Sequence, residues 1–234
     1  MEDPVSAAPL FVAIDGPAGS GKSSVAREAA QRLGFGILDT GAGYRSLAWA
    51  ALETGADLDD ETALLSLLDT WSYRISMQGQ QHVAVLLSDG ERYLTHDVTA
   101  AIRAPEVSAQ VSRVSKHPAV RERLNGLFRE LVASSGLPGV VVEGRDITTV
   151  VAPDAPVRLL LTASPEVRAA RRADELPGFS PEQVLADLTA RDAKDAQVVD
   201  FFHPAPGVTL VDTSDLDFEQ SVQAVVDIVR EAQA

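Results

Sequence analysis

The sequence predicts an α/β fold in which a parallel five-stranded sheet is flanked by helices and accompanied by a small antiparallel β insertion. Short apolar runs typical of buried strands alternate with segments of helical periodicity along most of the chain. The first apolar run leads directly into a glycine-rich turn and then a helix. Between residues 73 and 94, three short strand-like runs separated by turns interrupt this alternation, which indicates an insertion outside the main sheet.

The glycine-rich turn carries the most specific motif in the chain. It follows the apolar run at residues 10–14, and a helical spacing of apolar residues begins after it and ends at Gly34, a residue type common at helix C-caps. The turn reads GPAGSGKS at residues 16–23 and fits the pattern Gly, four residues, Gly, Lys, Ser or Thr. A strand-to-helix turn without a ligand has no need of Lys and Ser after its last glycine. We therefore predict a phosphate-binding loop.

The chemistry of such a loop defines its ligands. Its glycines let successive backbone N–H groups point into one concavity, and the following helix presents its positive end to the phosphates. Lys22 would reach the β and γ oxygens of a nucleoside triphosphate, and Ser23 would offer a hydroxyl to Mg²⁺, which prefers oxygen ligands. Ser23 is thus the predicted metal ligand. The predicted nucleotide-binding residues are Gly16, Pro17, Ala18, Gly19, Ser20, Gly21, Lys22, Ser23 and Ser24.

Composition excludes several other classes of protein. The chain has 234 residues, 20 of them basic and 34 acidic, and a net charge of −14, which argues against nucleic acid or an anionic membrane as a partner. It has no cysteine, so disulfides, thiol catalysis and cysteine-based zinc sites are excluded. Residues 1–9 lack the features of a targeting signal, and no apolar run approaches the length of a membrane span. We expect a cytoplasmic monomer with small-molecule partners.

The other elements follow in chain order. Further core strands are predicted at 37–39, 140–142, 157–161 and 208–211, and the strands of the insertion at 73–77, 83–88 and 91–94, with turns at 78–79 and 89–90. Helices are predicted from near Gly43 and at 61–69, 105–114, 118–132, 165–174, 181–193 and 217–232, and a loop at 175–179.

Charged residues at element ends mark the other candidate site positions. Glu143-Gly144-Arg145-Asp146 follows a buried strand, at the edge where parallel sheets bind ligands. Arg45 falls in the predicted first turn of a helix, where it opposes the helix dipole, so either an anion is held there or the arginine is simply solvated. Three arginines at 168–172 indicate phosphate in an acidic protein, the alternative being a solvated helix face. Asp39 is either a cap at a strand end or an organiser of metal and water.

A family resemblance rests on the phosphate loop, Asp39-Thr40-Gly41, Tyr44-Arg45, Glu143-Gly144-Arg145-Asp146 and Arg191. The chain closely resembles the bacterial cytidylate kinases over nearly its whole length. The resemblance implies the P-loop kinase fold and transfer of the γ-phosphoryl group of ATP to CMP and dCMP, with Mg²⁺. It also implies one domain over 1–234, with a monophosphate-binding insertion at about 60–115 and a short lid at about 168–185.

Phosphoryl transfer depends on positioning and on neutralising phosphate charge, so we assign Lys22 to the transferred phosphoryl group and Arg168, Arg171 and Arg172 to the donor and transition state. The resemblance supplies the other roles and matches Arg45 and Arg145 to the acceptor phosphate. Ser112, Arg121 and Asp146 are matched to the cytosine edge, and Arg191, Asp195 and Tyr44 to the ribose. Asp39 and Thr40 complete the predicted substrate-binding set.

The chain departs from that family at four places. Gly43 stands where a bulky residue is common, and Thr148 stands where the family has Gly. At 196–198 the sequence Ala-Gln-Val lacks a further phosphate-binding arginine, and the loop around Pro177 is short.

Two other functions stay open at this point. One is a P-loop kinase for a different small acceptor. The other is a nucleotide-operated switch, against which stands the absence of an Asn-Lys-x-Asp guanine-binding motif. The scattered histidines are predicted to lie at the surface; they are His82, His96, His117 and His203.

Overall fold

The computed structural model describes residues 8–88, 92–174, 180–196 and 200–234. The predicted turn at 89–90, the predicted loop at 175–179 and residues 197–198 of the departing segment lie outside the described residues. The strands are β1 (Leu10–Asp15), β2 (Gly36–Asp39), β3 (Trp71–Ile75), β4 (Val83–Ser88), β5 (Tyr93–Asp97), β6 (Gly139–Gly144), β7 (Val157–Thr162) and β8 (Thr209–Asp212). The helices are α1 (Lys22–Leu33), α2 (Thr40–Thr54), α3 (Glu61–Thr70), α4 (Pro105–Ser108), α5 (Val111–Ser115), α6 (Pro118–Ala133), α7 (Pro165–Asp174), α8 (Pro181–Asp195) and α9 (Phe218–Gln233).

The chain divides into two compact units. Residues 1–38 and 131–234 form the unit that contains the glycine loop, here called the phosphate-loop unit. Residues 39–130 form the second, here called the middle unit, and the predicted insertion of about 60–115 falls inside it.

The sheet of the phosphate-loop unit confirms the predicted parallel architecture. Its strand order is β2-β6-β1-β7-β8, so β1 lies at the centre. Val12 is level with Val141 on one side and Val157 on the other. At the carboxyl end, Asp15 pairs with Gly144, which brings the residues that follow β1 and β6 to one edge. Ligands of parallel sheets bind at this edge.

Two helices cover one face of this sheet. Buried apolar residues of α1 and α9 pack against alternate residues of β1, β6 and β7, as the two-residue period of a strand requires. Gly34 ends α1 in a left-handed conformation, φ 70°, as its position predicted. Asp217 begins α9 through a capping box with Gln220. Each large apolar side chain buried in this core stabilises the fold by about 1.5–3 kcal/mol.

The middle unit contains the predicted antiparallel insertion. Its sheet has the order β3-β4-β5, with β4 in the centre and residues 83, 85 and 87 buried on alternate positions. The first strand begins at Trp71 rather than at Tyr73. The physical reason is that Trp71 and Tyr73 lie on the same face, where their rings stack 5.6 Å apart, so both residues belong to the strand.

Two local predictions about helices were wrong, and one short helical turn was not predicted. The second helix begins at Thr40, because the Asp39 side chain accepts a hydrogen bond from Ala42 N and caps it. The helix predicted at 105–114 is divided into α4 and α5, with Ala109 and Gln110 between them. A π-helical turn, Ile147–Val151, follows Asp146 where no helix was predicted.

Candidate active site

The phosphate loop depends on glycine at two positions for different reasons. Gly21 immediately precedes α1 and has φ 81°, a left-handed conformation that glycine adopts without strain. Gly16 lies so close to β7 that an added Cβ would be 2.1 Å from the carbonyl oxygen of Leu161. The loop therefore needs a flexible residue at its end and the smallest residue at its start.

Glu143 joins the two side chains that the motif assigns to phosphate and metal. Ser23 Oγ donates to Glu143 Oε1 at 2.6 Å, and Lys22 Nζ lies 3.4 Å from Glu143 Oε2. Glu143 is only 4% exposed, so its charge is balanced inside the protein by this lysine and hydroxyl. The sequence placed Glu143 at the end of a buried strand but gave it no role.

The same pair of oxygen-bearing residues fits Mg²⁺. Ser23 and Glu143 supply a hydroxyl and a carboxylate, the ligand types that this ion prefers. In the part of the chain that the structure describes, no cluster of three or more His, Cys, Asp or Glu residues could hold a metal. Mg²⁺ usually keeps several waters and binds phosphate oxygens of a nucleotide besides one or two protein ligands, which is consistent with a site made by Ser23 and Glu143.

Arg145 is fixed against the phosphate loop itself. Its Nη1 donates to the carbonyl oxygen of Gly16 at 2.6 Å, and its Nη2 lies 3.9 Å from Asp192 Oδ1. The guanidinium carbon lies 4.7 Å from the centre of the Phe201 ring. Neither Asp192 nor Phe201 was identified from sequence.

Asp15 holds the segment that follows Arg145 and Asp146. Its buried carboxylate accepts hydrogen bonds from the backbone N–H groups of Ile147 and Thr148 at 2.7 and 2.8 Å, and from Thr148 Oγ1 at 2.6 Å. Burial raises the pKa of Asp15 above its ordinary value, and these three donors oppose the increase. The hydroxyl that distinguishes Thr148 from the glycine of the family thus has a structural use. Asp146 itself is buried at this edge.

Arg168 is buried and paired rather than part of a solvated helix face. Its Nη1 donates to Asp192 Oδ2 at 2.5 Å and to the carbonyl oxygen of Ala18 at 2.9 Å. Asp192 Oδ1 accepts from Ala18 N at 3.2 Å. One ion pair thus holds both backbone polar groups of Ala18, inside the phosphate loop. The predicted contact between Arg168 and the donor phosphates stays a prediction.

Arg171 ties the phosphate loop to the segment between β8 and α9. It donates to the carbonyl oxygens of Ser20, Thr213 and Leu216 and to Thr213 Oγ1, over distances of 2.8–3.3 Å. Arg172 lies beside it on the wall of a cavity of about 280 Å³. The cavity is lined by Gly19, Gly21, Ser24, Val25, Arg171, Arg172, Leu216, Asp217, Phe218 and Ser221. It adjoins the phosphate loop and combines apolar with polar walls.

In the middle unit, Asp39 and Arg45 form a pair at the start of α2. Asp39 Oδ1 accepts the capping bond from Ala42 N at 3.0 Å, and Asp39 Oδ2 lies 2.8 Å from Arg45 Nη2. The prediction that Arg45 falls in the first turn was wrong, because the cap at Asp39 places it in the second. Asp39 is therefore a cap, as one of its two predicted roles had it, but only through Oδ1, because Oδ2 pairs with Arg45. Thr40, the first residue of α2, is buried.

Two rings lie against the position of Gly43. A Cβ added there would lie 2.7 Å from Phe128 Cε1 and 4.0 Å from Tyr73 Cζ. The Tyr44 ring also contacts Phe128, with centroids 6.1 Å apart. The Phe128 ring therefore occupies the space that a bulky residue at 43 would need, which explains how this chain accommodates Gly43. The buried Tyr73 hydroxyl has no hydrogen-bond partner in the described structure.

The remaining predicted residues lie on helices. Ser112 is on α5 and Arg121 on α6, both in the middle unit. Arg191 and Asp195 are on α8, and their side chains lie outside the described part of the structure. The prediction that every histidine is at the surface was wrong for His117. This residue is buried, and the carbonyl oxygen of Leu58, 3.0 Å from Nε2, gives its ring a polar partner there.

The loop, the lysine and serine after it and the acid on the neighbouring strand define a P-loop nucleotide-binding protein. Comparison with known proteins narrows this class: the family model for cytidylate kinases matches residues 12–231. The chain belongs to the cytidylate kinase family, and it is a nucleoside monophosphate kinase.

Individual relatives agree with this assignment. The cytidylate kinase of Cutibacterium acnes is 42% identical over 227 residues, which cover 96% of this chain and 98% of that protein. The cytidylate kinase of Pelotomaculum thermopropionicum is 44% identical over 220 residues, or 92% and 93% of the two chains. A crystal structure of an uncharacterized protein from Eubacterium ventriosum shares the fold, with a TM-score of 0.51, 11% identity and coverage of 97% and 99%. No helix among the described residues is long and apolar enough to cross a membrane.

Proposed function

We propose that this chain transfers the γ-phosphoryl group of ATP to CMP and dCMP, giving ADP and CDP or dCDP in pyrimidine nucleotide metabolism. The observation that supports this most directly is the shared use of Glu143 by Lys22 and Ser23, with Arg145 bonded to Gly16 of the same loop. These residues bring cations, a hydroxyl and a carboxylate to the edge of the sheet where phosphates would bind.

Phosphoryl transfer requires mainly alignment of the reacting groups and neutralisation of charge on the phosphate oxygens. In this role, Lys22, which lies 3.4 Å from Glu143, also attracts the oxygens of the transferred phosphoryl group. Arg145 neutralises the charge of the acceptor phosphate. When bound through Ser23 and Glu143, Mg²⁺ would supply further positive charge to the triphosphate oxygens. Arg168 and Arg171, through their bonds to Ala18 and Ser20, keep the loop in shape for its ligand.

The donor base is assigned to the cavity beside the loop. Its volume of about 280 Å³ and its apolar residues Val25, Leu216 and Phe218 suit a flat purine ring. Ser24 and Asp217 offer polar groups at its edges.

The acceptor roles rest on the family. By that resemblance, Arg45 and Arg145 are each assigned to the acceptor phosphate, and Tyr44, Arg191 and Asp195 are assigned to the ribose. Asp146 recognises cytosine, because a carboxylate accepts a hydrogen bond from the N4 amino group, whereas uracil presents an acceptor at that position. Ser112 and Arg121 donate to N3 or O2 of the base.

A coupled assay that measures ADP formation tests this proposal. CMP, dCMP, UMP, AMP and a control without acceptor are compared with ATP and Mg²⁺, and ATP is then exchanged for GTP at saturating CMP. We expect the highest kcat/KM for CMP, a measurable value for dCMP, and loss of turnover in EDTA. Equal or better turnover of UMP or AMP would overturn the assignment of the acceptor.

A further inference from the structure

The guanidinium of Arg145 is constrained in three directions by different chemical groups. A backbone carbonyl of the phosphate loop, Gly16 O, accepts from Nη1 at 2.6 Å. The Asp192 carboxylate attracts Nη2 from 3.9 Å. The Phe201 ring lies 4.7 Å from Cζ. The first two contacts act on donor atoms of the guanidinium, and the third acts on its positive charge.

The contact with Phe201 suits an arginine that must also bind a ligand. An aromatic ring attracts a cation through its quadrupole and uses none of its N–H donors. A guanidinium is planar, so a ring beside it restricts its rotation, and the ring itself occupies none of the N–H groups through which an arginine binds a phosphate. Phe201 is 1% exposed, so it is itself held in place by the fold.

The other two neighbours of Arg145, Asp192 and Gly16, also shape the phosphate loop, and in this respect Phe201 differs from them. Asp192 also binds Ala18 N and Arg168, so its loss would disturb the phosphate loop as well as Arg145. Gly16 is part of that loop. The Phe201 ring contacts the Phe202 ring, with centroids 4.7 Å apart. Phe202 is 41% exposed, so replacing Phe202 tests the loss of a ring from this segment without the loss of a buried side chain. Phe201 is therefore the neighbour through which Arg145 can be tested most selectively.

We propose that Phe201 is a positioning residue that fixes the orientation of Arg145 for binding the acceptor phosphate. The inference rests on the proposed function, because it takes the acceptor to be a nucleoside monophosphate. A side chain that only filled the core would affect stability and leave the acceptor KM unchanged. A positioning residue affects the acceptor KM more than the KM for ATP.

The experiment compares Phe201→Leu with Phe201→Tyr, which retains the ring, and with Phe202→Leu as a matched control from the same segment. KM for CMP, KM for ATP and kcat are measured, together with Tm. We expect Phe201→Leu to raise the KM for CMP about tenfold, in line with loss of a partly buried cation–π contact, and the KM for ATP less than twofold. The KM for CMP of Phe201→Tyr should stay within about threefold of the wild-type value, and that of Phe202→Leu should equal the wild-type value. Equal KM values for CMP in Phe201→Leu and Phe202→Leu overturn the proposal.

A double-mutant cycle with Arg145→Lys covers the case in which Phe201→Leu loses stability. Lysine keeps a charge but has no planar fork, so the effect of Phe201→Leu on the KM for CMP should be largely lost in this background. Equal fold-changes in both backgrounds would show that Phe201 acts without Arg145. A wild-type protein that turns over another monophosphate and not CMP would instead overturn the proposed function, and the same cycle with that acceptor would still decide the role of Phe201.

Discussion

The charged residues around the phosphate loop and those at the start of α2 are held by contacts of very different reach along the chain. In the phosphate-loop unit, the partners of Ser23, Arg145 and Ala18 are 120, 129 and 174 residues away. In the middle unit, Asp39 caps α2 three residues away and pairs with Arg45 six residues away. The first arrangement exists only when the parallel sheet is assembled, whereas the second needs little more than one helix and its cap.

This difference in reach predicts a difference in response to mutation. A charge in the phosphate-loop unit faces a partner from a distant strand or helix, so its replacement disturbs a site that the whole unit has assembled. A change at an uncharged packing position of the middle unit, such as Gly43 on α2, acts on local packing, so it should affect stability more than chemistry. The predictions below test this contrast, beginning with the largest effect.

Lys22→Ala should lower kcat by at least about a hundredfold, the size expected when one strong electrostatic contact to a transition state is removed. The folded state should survive, since Glu143 keeps its hydrogen bond from Ser23. Lys116→Ala is the matched control, because that exposed lysine pairs with Asp59 in the middle unit. Steady-state kinetics and Tm are measured for both. Normal turnover in Lys22→Ala would contradict the assignment of residues 16–23 as the phosphate-binding loop of the enzyme.

Asp146→Asn should reduce the preference for CMP over UMP by roughly ten- to a hundredfold, because an amide can present a donor where the cytosine edge offers one. Asp154→Asn, an exposed residue of the same connection, serves as control. The ratio of kcat/KM for the two acceptors is the measurement. If that ratio is the same in both variants, Asp146 does not recognise the base.

Gly43→Ala should destabilise the protein by about 1–3 kcal/mol, since the new Cβ would lie 2.7 Å from the buried Phe128 ring. Gly126→Ala, also in a helix but with open space around it, should instead stabilise by about 0.5–1 kcal/mol. Phe128→Leu in the Gly43→Ala background should recover part of the loss. Urea unfolding gives the four free energies. A loss in Gly43→Ala that Phe128→Leu does not reduce would place the strain elsewhere.

The same contrast explains what could be predicted from the sequence. The strand, loop and helix around Lys22 follow from periodicity and a motif within about 25 residues. The antiparallel insertion follows from short strand-like runs separated by turns. The possibility that Asp39 is a cap also came from local pattern. Each of these depends on neighbours in the chain, which a single sequence displays directly.

The partners across the phosphate-loop unit could not be predicted in this way. The sequence placed Glu143 at a strand end but could not show that it meets Ser23, and nothing in the pattern around Asp192 or Phe201 indicates Arg145. His117 was assigned to the surface because the four histidines are scattered without ligand spacing, and its partner, the carbonyl of Leu58, is 59 residues away. A signal for such pairs requires the register of the sheet or covarying positions in related sequences.

Tyr73→Phe should give the smallest effect, a gain in stability of up to about 1 kcal/mol. The Tyr73 hydroxyl is buried without a hydrogen-bond partner in the described structure, and a buried polar group that makes no bond costs free energy that phenylalanine does not. Burial, together with the charge of Asp39, raises the pKa of Tyr73 well above 10.0. The unfolded phenol therefore ionises first as pH rises, so the wild type alone loses stability from this residue above about pH 10, and the difference between the two proteins should widen there. Urea unfolding at pH 7 and at pH 10.5 measures both effects. A loss of stability at pH 7 would mean that the hydroxyl has a partner after all, and a higher KM for CMP at unchanged stability would mean that the partner is the substrate.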